Sequence, residues 1–238
     1  MHVIIMGGFL GSGKTTTMVN MSKYLAMKGY VVALILNEVG EVDAGVCNSK
    51  GYSVCTKEVT NGCICCTLNI SMKTALTEIR DTYNPDFVIV EPSGLAFPAM
   101  VRENLELMDL GDSLTIAPIV TLIDGLRFKD LMKGLRVYAT RQIEDSEILV
   151  INKADVVDSL QLSLFRDSIG QLNLEATILD MSSREKDEGF FELMDVLFPA
   201  DLLEKAASSR VDGPAPSVRT SSTVISHSFG VSPEDQAY

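Results

Sequence analysis

Short apolar runs recur along the chain and alternate with stretches where apolar residues return every three or four positions. The runs are "HVIIMG" (2–7), "VVALILN" (31–37), "FVIVEP" (87–92), "IAPIVTLID" (116–124), "EILVINK" (147–153) and "EATILDMS" (175–182). Continuous apolar character, without the polar alternation of a half-exposed strand, predicts parallel strands covered on both faces. Helical periodicity fills the intervals at 14–28, 68–83, 98–109, 126–145, 157–172 and 188–198. Strands alternating with helices predict an α/β fold, a doubly wound and mostly parallel sheet with ligands at the carboxyl ends of its strands. From about residue 206 the texture changes: "AASSRVDGPAPSVRTSS" is small, polar and proline-containing, like a linker. The pattern therefore predicts one α/β domain over residues 1–203. Residues 204–238 read as a linker and tail, or as the start of a further C-terminal domain.

Composition narrows the partners. With 32 acidic and 20 basic side chains the formal net charge is -12, which argues against nucleic acid or an anionic membrane as a partner of the whole surface. No apolar run approaches the roughly 20 residues that span a bilayer. The apolar opening "MHVIIMGGFL" lacks a basic lead and runs straight into a glycine-rich loop, so it does not read as a signal peptide. Cytoplasmic residence is the expectation. In that compartment the 5 cysteines are expected as metal ligands or redox groups rather than disulfides.

The glycine-rich loop carries the first chemistry. In "GGFLGSGKTT", Gly8, Gly13, Lys14 and Thr15 fit G-x-x-x-x-G-K-[ST], set between a predicted strand and a predicted helix. Gly8, Gly11, Ser12, Gly13 and Thr16 belong to the same phosphate cradle. Its backbone N–H groups and the helix amino end attract anionic oxygen. Lys14 is expected on the β/γ-phosphates and the Thr15 hydroxyl on Mg2+. "INKAD" (151–155) supplies base selectivity. Asn152, Lys153 and Asp155 end a strand, and a carboxylate there accepts from the N1 and N2 donors of guanine, which adenine lacks. "DMSSRE" (180–185) follows the next strand and could bring Ser182 and Ser183 to the guanine O6. "FVIVEPSG" (87–94) is an E-x-x-G version of the D-x-x-G switch. Glu91 is placed to hold the magnesium's water, and the Gly94 N–H to sense the γ-phosphate.

A second chemistry sits in "NGCICC" (61–66), where three of the 5 cysteines crowd together. Cys63 and Cys65 alternate, so an extended backbone turns both sulfurs the same way, and Cys66 joins them through a bend. Three thiolates suit Zn2+, Cu(I) or Co2+ with one position left open. A permanent structural zinc, completed by Cys47 or Cys55, is an alternative reading. So is thiol redox chemistry, since Cys63 and Cys66 have C-x-x-C spacing. Upstream, "NEVGEVDAG" (37–45) offers Glu38, Glu41 and Asp43 as hard oxygen ligands.

Together these stretches resemble the CobW-like metallochaperone GTPases, relatives of HypB and UreG among the P-loop GTPases. The resemblance runs through "GGFLGSGKTT", "NEVGEVDAG", "NGCICC", "EPSGLAFP", "TLIDG" and "RQIEDSEILVINKAD", to about residue 200. The family's G-C-x-C-C signature is met by Gly62, Cys63, Ile64, Cys65 and Cys66, and its N-[DE]-x-G-E segment by Asn37 to Glu41. The resemblance implies a SIMIBI-type P-loop NTPase fold and slow GTP hydrolysis with Mg2+. It implies Lys14, Glu91 and Gly94 in catalysis, and Thr15 and Glu91 on magnesium. Zn2+ or Co2+ would be held by Cys63, Cys65, Cys66 and Glu41. Leu36 stands where some members carry another carboxylate, which leaves a second metal position without support. The implied partner is a client metalloprotein or a protein of a cobalamin (corrinoid) pathway, with a dimer dependent on nucleotide or metal. Members usually add a smaller C-terminal domain and a histidine-rich stretch. Here the histidines are His2 and His227 alone, so the chain reads as a minimal member or a piece of a longer one. Two rivals remain: a GTPase gating or reactivating a corrinoid-dependent enzyme, its thiols merely structural, and a P-loop kinase of a small molecule. "VRENLELMDL" offers the kinase one lid arginine at best.

Overall fold

The computed structural model describes residues 1–36, 54–58, 67–92, 94, 96–108 and 114–208, with backbone alone for 54–58 and 67–71. Its centre is the predicted sheet. Strand β1 (His2–Gly8) lies in the middle, flanked by β4 (Phe87–Val90) and β6 (Val120–Asp124). Outward on one side come β2 (Val32–Leu36) and β3 (Val54–Glu58), and on the other β7 (Ile148–Asn152) and β8 (Thr177–Met181). The order is β3-β2-β4-β1-β6-β7-β8, and the pairings along it are parallel.

Alternation within β1 explains the continuous apolar run. Ile4 and Met6 face a cluster with Met18, Met21 and Leu25 of α1 (Lys14–Met27) and Phe190, Leu193 and Leu197 of α7 (Glu188–Leu197). Val3 and Ile5 face the opposite cluster, which holds Leu76 and Ile79 of α2 (Thr67–Tyr83) and Leu105 of α3 (Pro98–Leu107). A third cluster packs Leu149 and Ile151 of β7 on Ile143, Phe165 and Ile169.

Three departures from the predicted elements have local causes. The run 116–124 is two strands, because β5 (Thr115–Ile116) pairs with the start of β1 and β6 with its end. Pro118 lies between them and has no N–H to give a ladder. The helix expected over 126–145 divides into α4 (Phe128–Gly134) and α5 (Arg136–Glu144). Gly134, a poor helix former, ends the first, and Leu135 at φ -130° turns the chain into the second. β3 was not legible because "VCTKE" is an outer strand with a polar sequence rather than an apolar run.

Beyond α6 (Ser159–Leu172), β8 and α7, a further helix, α8 (Ala200–Ser208), runs past residue 203. Leu202, Leu203 and Ala206 pack on the first cluster, and the Tyr30 hydroxyl donates to the Leu203 carbonyl at 3.1 Å. No helix among the described residues is long and apolar enough to cross a membrane.

Phe190 is fully buried and meets the Tyr24 ring edge-on, with centroids 6.5 Å apart. Phe190→Ala is expected to cost about 3–5 kcal/mol. Urea unfolding followed by circular dichroism checks this, and a loss below about 1 kcal/mol would contradict the packing described.

Candidate functional site: a phosphate loop tied to its neighbours

The predicted phosphate loop leaves β1 at Gly8 and enters α1 at Lys14. Gly8, Gly11 and Gly13 have φ of 130°, 79° and 98°. Those angles open the backbone N–H groups toward an anion, and side-chain-bearing residues resist them. At Gly13 a Cβ would also collide with the Asn152 amide, and at Gly11 with the Arg127 guanidinium. The loop is therefore closed from outside by two side chains. Ser12 is fully buried within it, and its hydroxyl has no hydrogen-bond partner among the described residues. Thr16 is exposed on the first turn of α1.

Lys14, the first residue of α1, and Glu91, one step past β4, are each 6% exposed and pair at 3.6 Å. The Lys14 ammonium also donates to the Phe9 carbonyl at 3.1 Å. The Thr15 hydroxyl donates to the Glu91 carboxylate at 3.2 and 3.4 Å. A hydroxyl and a carboxylate converging at a helix amino end are hard oxygen donors of the kind Mg2+ takes, so the residues fit that ion. Gly94 lies against the loop, and a Cβ on it would be 3.1 Å from the Leu10 nitrogen.

Asn152 does more than the sequence indicated. It is 2% exposed, and its Nδ2 donates to the Ser12 carbonyl at 2.7 Å. Its Oδ1 accepts from the Ser183 N–H at 2.9 Å and the Ser183 hydroxyl at 2.8 Å. Ser183 in turn meets the Thr17 hydroxyl at 2.6 Å, and its carbonyl accepts from Asn20 at 2.6 Å. Ser182 is buried, its N–H donating to Asp187 and its hydroxyl accepting from the Glu185 N–H. Asp155 follows in a short 3-10 turn, exposed and without a hydrogen-bond partner among the described residues.

Sequence reasoning missed a cluster around Asp124. Its carboxylate accepts from Lys153 at 2.7 Å, from Arg127 at 2.9 Å and from the Leu126 N–H at 3.0 Å. Arg127 also donates to the Leu10 carbonyl at 2.6 Å. Burial raises the Asp124 pKa, but the Lys153 and Arg127 hydrogen bonds, with the Lys153 charge, outweigh it and hold the group below the ordinary carboxylate value. The spacing of Asp124 and Arg127, three apart after a buried strand, is the signal that could have found it.

Glu41, Cys63, Cys65 and Cys66 lie outside the described residues, as does Cys47. Cys55 is described in backbone alone, on β3 opposite Ala33. Among the described residues no group of three or more His, Cys, Asp and Glu side chains could hold a metal ion.

A sheet of this order with such a loop after its central strand defines a P-loop nucleotide-binding α/β protein. The chain matches the family model "CobW/HypB/UreG, nucleotide-binding domain" over residues 2–180, and it belongs to that family. It is similar to the zinc chaperone CobW of a Sinorhizobium species, 32% identical over 193 residues, covering 69% of this chain and 54% of the relative. It is also similar to the zinc-regulated GTPase metalloprotein activator 1 of Schizosaccharomyces pombe, 29% identical, covering 82% of this chain and 48% of that one. The chain thus spans about half the length of these curated relatives. Helicobacter pylori HypB, solved in complex with nickel, shares the fold with a TM-score of 0.57 at 23% identity, over 87% of each chain.

Removing the Asn152 amide leaves the Ser12 carbonyl and the Ser183 N–H without their buried partner. Asn152→Ala is expected to lower stability by about 1–3 kcal/mol. Asp155→Ala, at an exposed position, should change it by less than about 0.5 kcal/mol. Paired urea titrations distinguish the two, and equal effects would contradict the structural role of Asn152.

Proposed function

We propose that the chain is the nucleotide-driven part of a cytoplasmic metallochaperone. It hydrolyses GTP and couples the nucleotide state to capture and release of a transition-metal cargo, zinc or cobalt. The observation that carries the reading is the convergence of Lys14, Thr15, Glu91 and Gly94 on one loop, with the Asp155 carboxylate exposed at the next strand end but one. The CobW and activator relatives, named for zinc, support zinc as the first cargo to test.

Phosphate oxygens would take the Lys14 ammonium from its present acceptors, and the amino end of α1 would add its positive potential. Thr15 and Glu91 would hold Mg2+, which when bound neutralises charge on the β- and γ-phosphates. Asp155 selects guanine, while Asn152 and Ser183 keep its loop at a set distance from the phosphates. Gly94 rests on the loop at Leu10, so an arriving γ-phosphate meets its backbone. The residues linking β2 to α2 carry Glu41 and the thiols Cys63, Cys65 and Cys66. Their order is proposed to follow the γ-phosphate, with the cargo loosened on hydrolysis. The receiver is a client metalloprotein. Gating of a corrinoid-dependent enzyme, with the thiols only structural, predicts instead no dependence of metal affinity on nucleotide.

Nucleotide preference tests the base reading. GTP should bind in large excess over ATP, and Asp155→Ala should weaken GTP binding at least about tenfold while leaving ATP binding unchanged. Fluorescent-nucleotide competition measures both, and equal affinity of the intact protein for ATP and GTP would remove guanine selectivity.

Metal coupling tests the delivery reading. Competitive Zn2+ and Co2+ titrations should show about tenfold tighter binding with a GTP analogue than with GDP, about 1.4 kcal/mol of coupling. Metal must then tighten GTP binding by the same factor. Cys65→Ser should erase the coupling and spare basal GTP affinity. Identical metal affinity in both nucleotide states would leave the cysteines a structural clip.

A further inference from the structure

The stretch "LRFKDLMKGLRVYATR" (126–141) sets Arg127, Lys129, Lys133, Arg136 and Arg141 against one acid, Asp130, in a chain whose net charge is -12. It folds as α4, a corner at Gly134 and Leu135, and α5. Three of the cations are engaged: Arg127 by Asp124, Arg141 by Asp145, and Lys129 over the Phe165 ring. Lys133 and Arg136, on either side of the corner, are exposed and have no such contact among the described residues.

Apolar groups lie beside these two cations. α5 buries Ala139, Gln142 and Ile143, which turns Arg136 and Val137 outward. Val137 is 77% exposed, and Leu135 and Tyr138 are 40% and 41% exposed. The Tyr138 ring is held by Phe97, which stacks on it with centroids 5.7 Å apart and planes 10° from parallel. Exposed apolar groups gathered in one place and rimmed by charge mark a binding surface, where single scattered ones do not.

We propose that the corner 133–138 is a docking surface for an acidic segment of a partner protein. The segment sets carboxylates on Lys133 and Arg136 and an apolar side chain among Leu135, Val137 and Tyr138. Charge selects this occupant. A second copy docked about a two-fold axis at the corner would put Lys133 and Arg136 against themselves, since such a contact is isologous. A nucleic-acid backbone would leave the apolar groups uncovered, and an anionic bilayer would face a chain of net charge -12. A short acidic segment lies within the basic stretch and uses both features. The surface is also joined to the nucleotide face. On the same helix Gln142 donates to the Gly94 and Ala96 carbonyls at 3.0 and 2.9 Å, and Tyr138 stacks on Phe97 directly before α3. A nucleotide that shifts the chain around Gly94 therefore shifts α5, and docking reports the nucleotide state. This link rests on the nucleotide reading above; the docking claim stands by itself.

The experiment titrates the purified full chain with a peptide of about ten residues, acidic except for one leucine and one tryptophan. Backbone amide NMR shifts at 133–138 are the readout. Saturable shifts are expected there, with binding weakened about threefold or more between about 50 and 200 mM salt. Lys133→Glu with Arg136→Glu should weaken binding at least about tenfold, and Val137→Ser about threefold. Lys23→Glu with Lys205→Glu, the same change of net charge placed on α1 and α8, should not. The corner substitutions lie at exposed positions and should leave GTP affinity unchanged. Absence of saturable shifts up to about 5 mM peptide, equal binding of a lysine-for-acid peptide, or binding that survives the corner charge reversal would overturn the surface. Tighter binding of a poly-dT oligonucleotide or of phosphatidylserine vesicles, lost on the same reversal, would overturn it in favour of nucleic acid or membrane. Self-association lost on that reversal would overturn it in favour of a second copy. Peptide affinity should differ about threefold or more between a GTP analogue and GDP, and equal affinity would overturn the link. A protein that binds the peptide but no nucleotide would refute the nucleotide reading and leave the docking surface standing.

Discussion

The carboxamide of Asn152 is the joint on which the nucleotide face depends. It lies 2% exposed at the end of β7 and makes three hydrogen bonds, one to the carbonyl of Ser12 and two to Ser183. Asn is suited to this because one planar group supplies both donors and acceptor, where a carboxylate would only accept. The geometry has consequences in three directions. Gly13 must lack a Cβ for the amide to reach its place, the loop after β8 is held against α1 through Thr17 and Asn20, and Asp155 is set three residues along at the surface. Such a network is worth most when every member is satisfied, since a buried amide with a missing partner costs more than it contributed.

Charge around the loop obeys a second constraint. A chain with 32 acidic residues still gathers Lys14, Arg127 and Lys153 beside the phosphate loop, and each is met by an acid from a neighbouring strand end. Asp124 answers both Arg127 and Lys153, and Glu91 answers Lys14. Burying the Lys14 ammonium without a counter-ion would be prohibitive, whereas Arg127 and Lys153 stay in contact with solvent and instead satisfy the buried Asp124 carboxylate. The two acids differ in what they leave available. Asp124 is saturated by donors, while Glu91 sits beside the Thr15 hydroxyl, where a cation and phosphate would change its company. The first reads as a brace and the second as a participant.

Much of this was legible in the sequence because it rests on local rules. The β1–loop–α1 unit follows from an apolar run, three glycines and a helix-forming stretch, each readable in isolation. What escaped depends on tertiary context. "VCTKE" is a strand because β2 offers its edge, and "DLLEKAAS" folds as α8 with Leu202 and Leu203 set against the core, although its neighbours in sequence look like a linker. The site divides the same way. Lys14, Thr15 and Glu91 were named from motifs, whereas Arg127 reaches the loop at Leu10 from 117 residues away and Gln142 holds Gly94 from 48 residues away. No motif spacing encodes those distances. They are set by the order in which the strands are laid side by side.

That order also sets where β2 and β3 end relative to the phosphate loop. The strands are parallel, so their carboxyl ends share one edge of the sheet with the phosphate loop. Ile35 pairs with Val90, and Leu36 with Glu58, so β2, β3 and β4 reach that edge within about a residue of one another. The Glu91 N–H, one step beyond β4, still donates to the Ile35 carbonyl at 2.8 Å. Leu36 and Glu58, which end β2 and β3, therefore lie almost level with the carboxylate that faces Thr15. β3 and β4 are separated only by β2, and neighbouring strands are about 4.8 Å apart, which puts the end of β3 about 10 Å across the sheet from Glu91. In the sequence Glu41 comes five positions after Leu36, and Cys63 five after Glu58. The metal coupling proposed above would therefore need no long relay through the core, only a change where β2 and β3 end beside the phosphate loop.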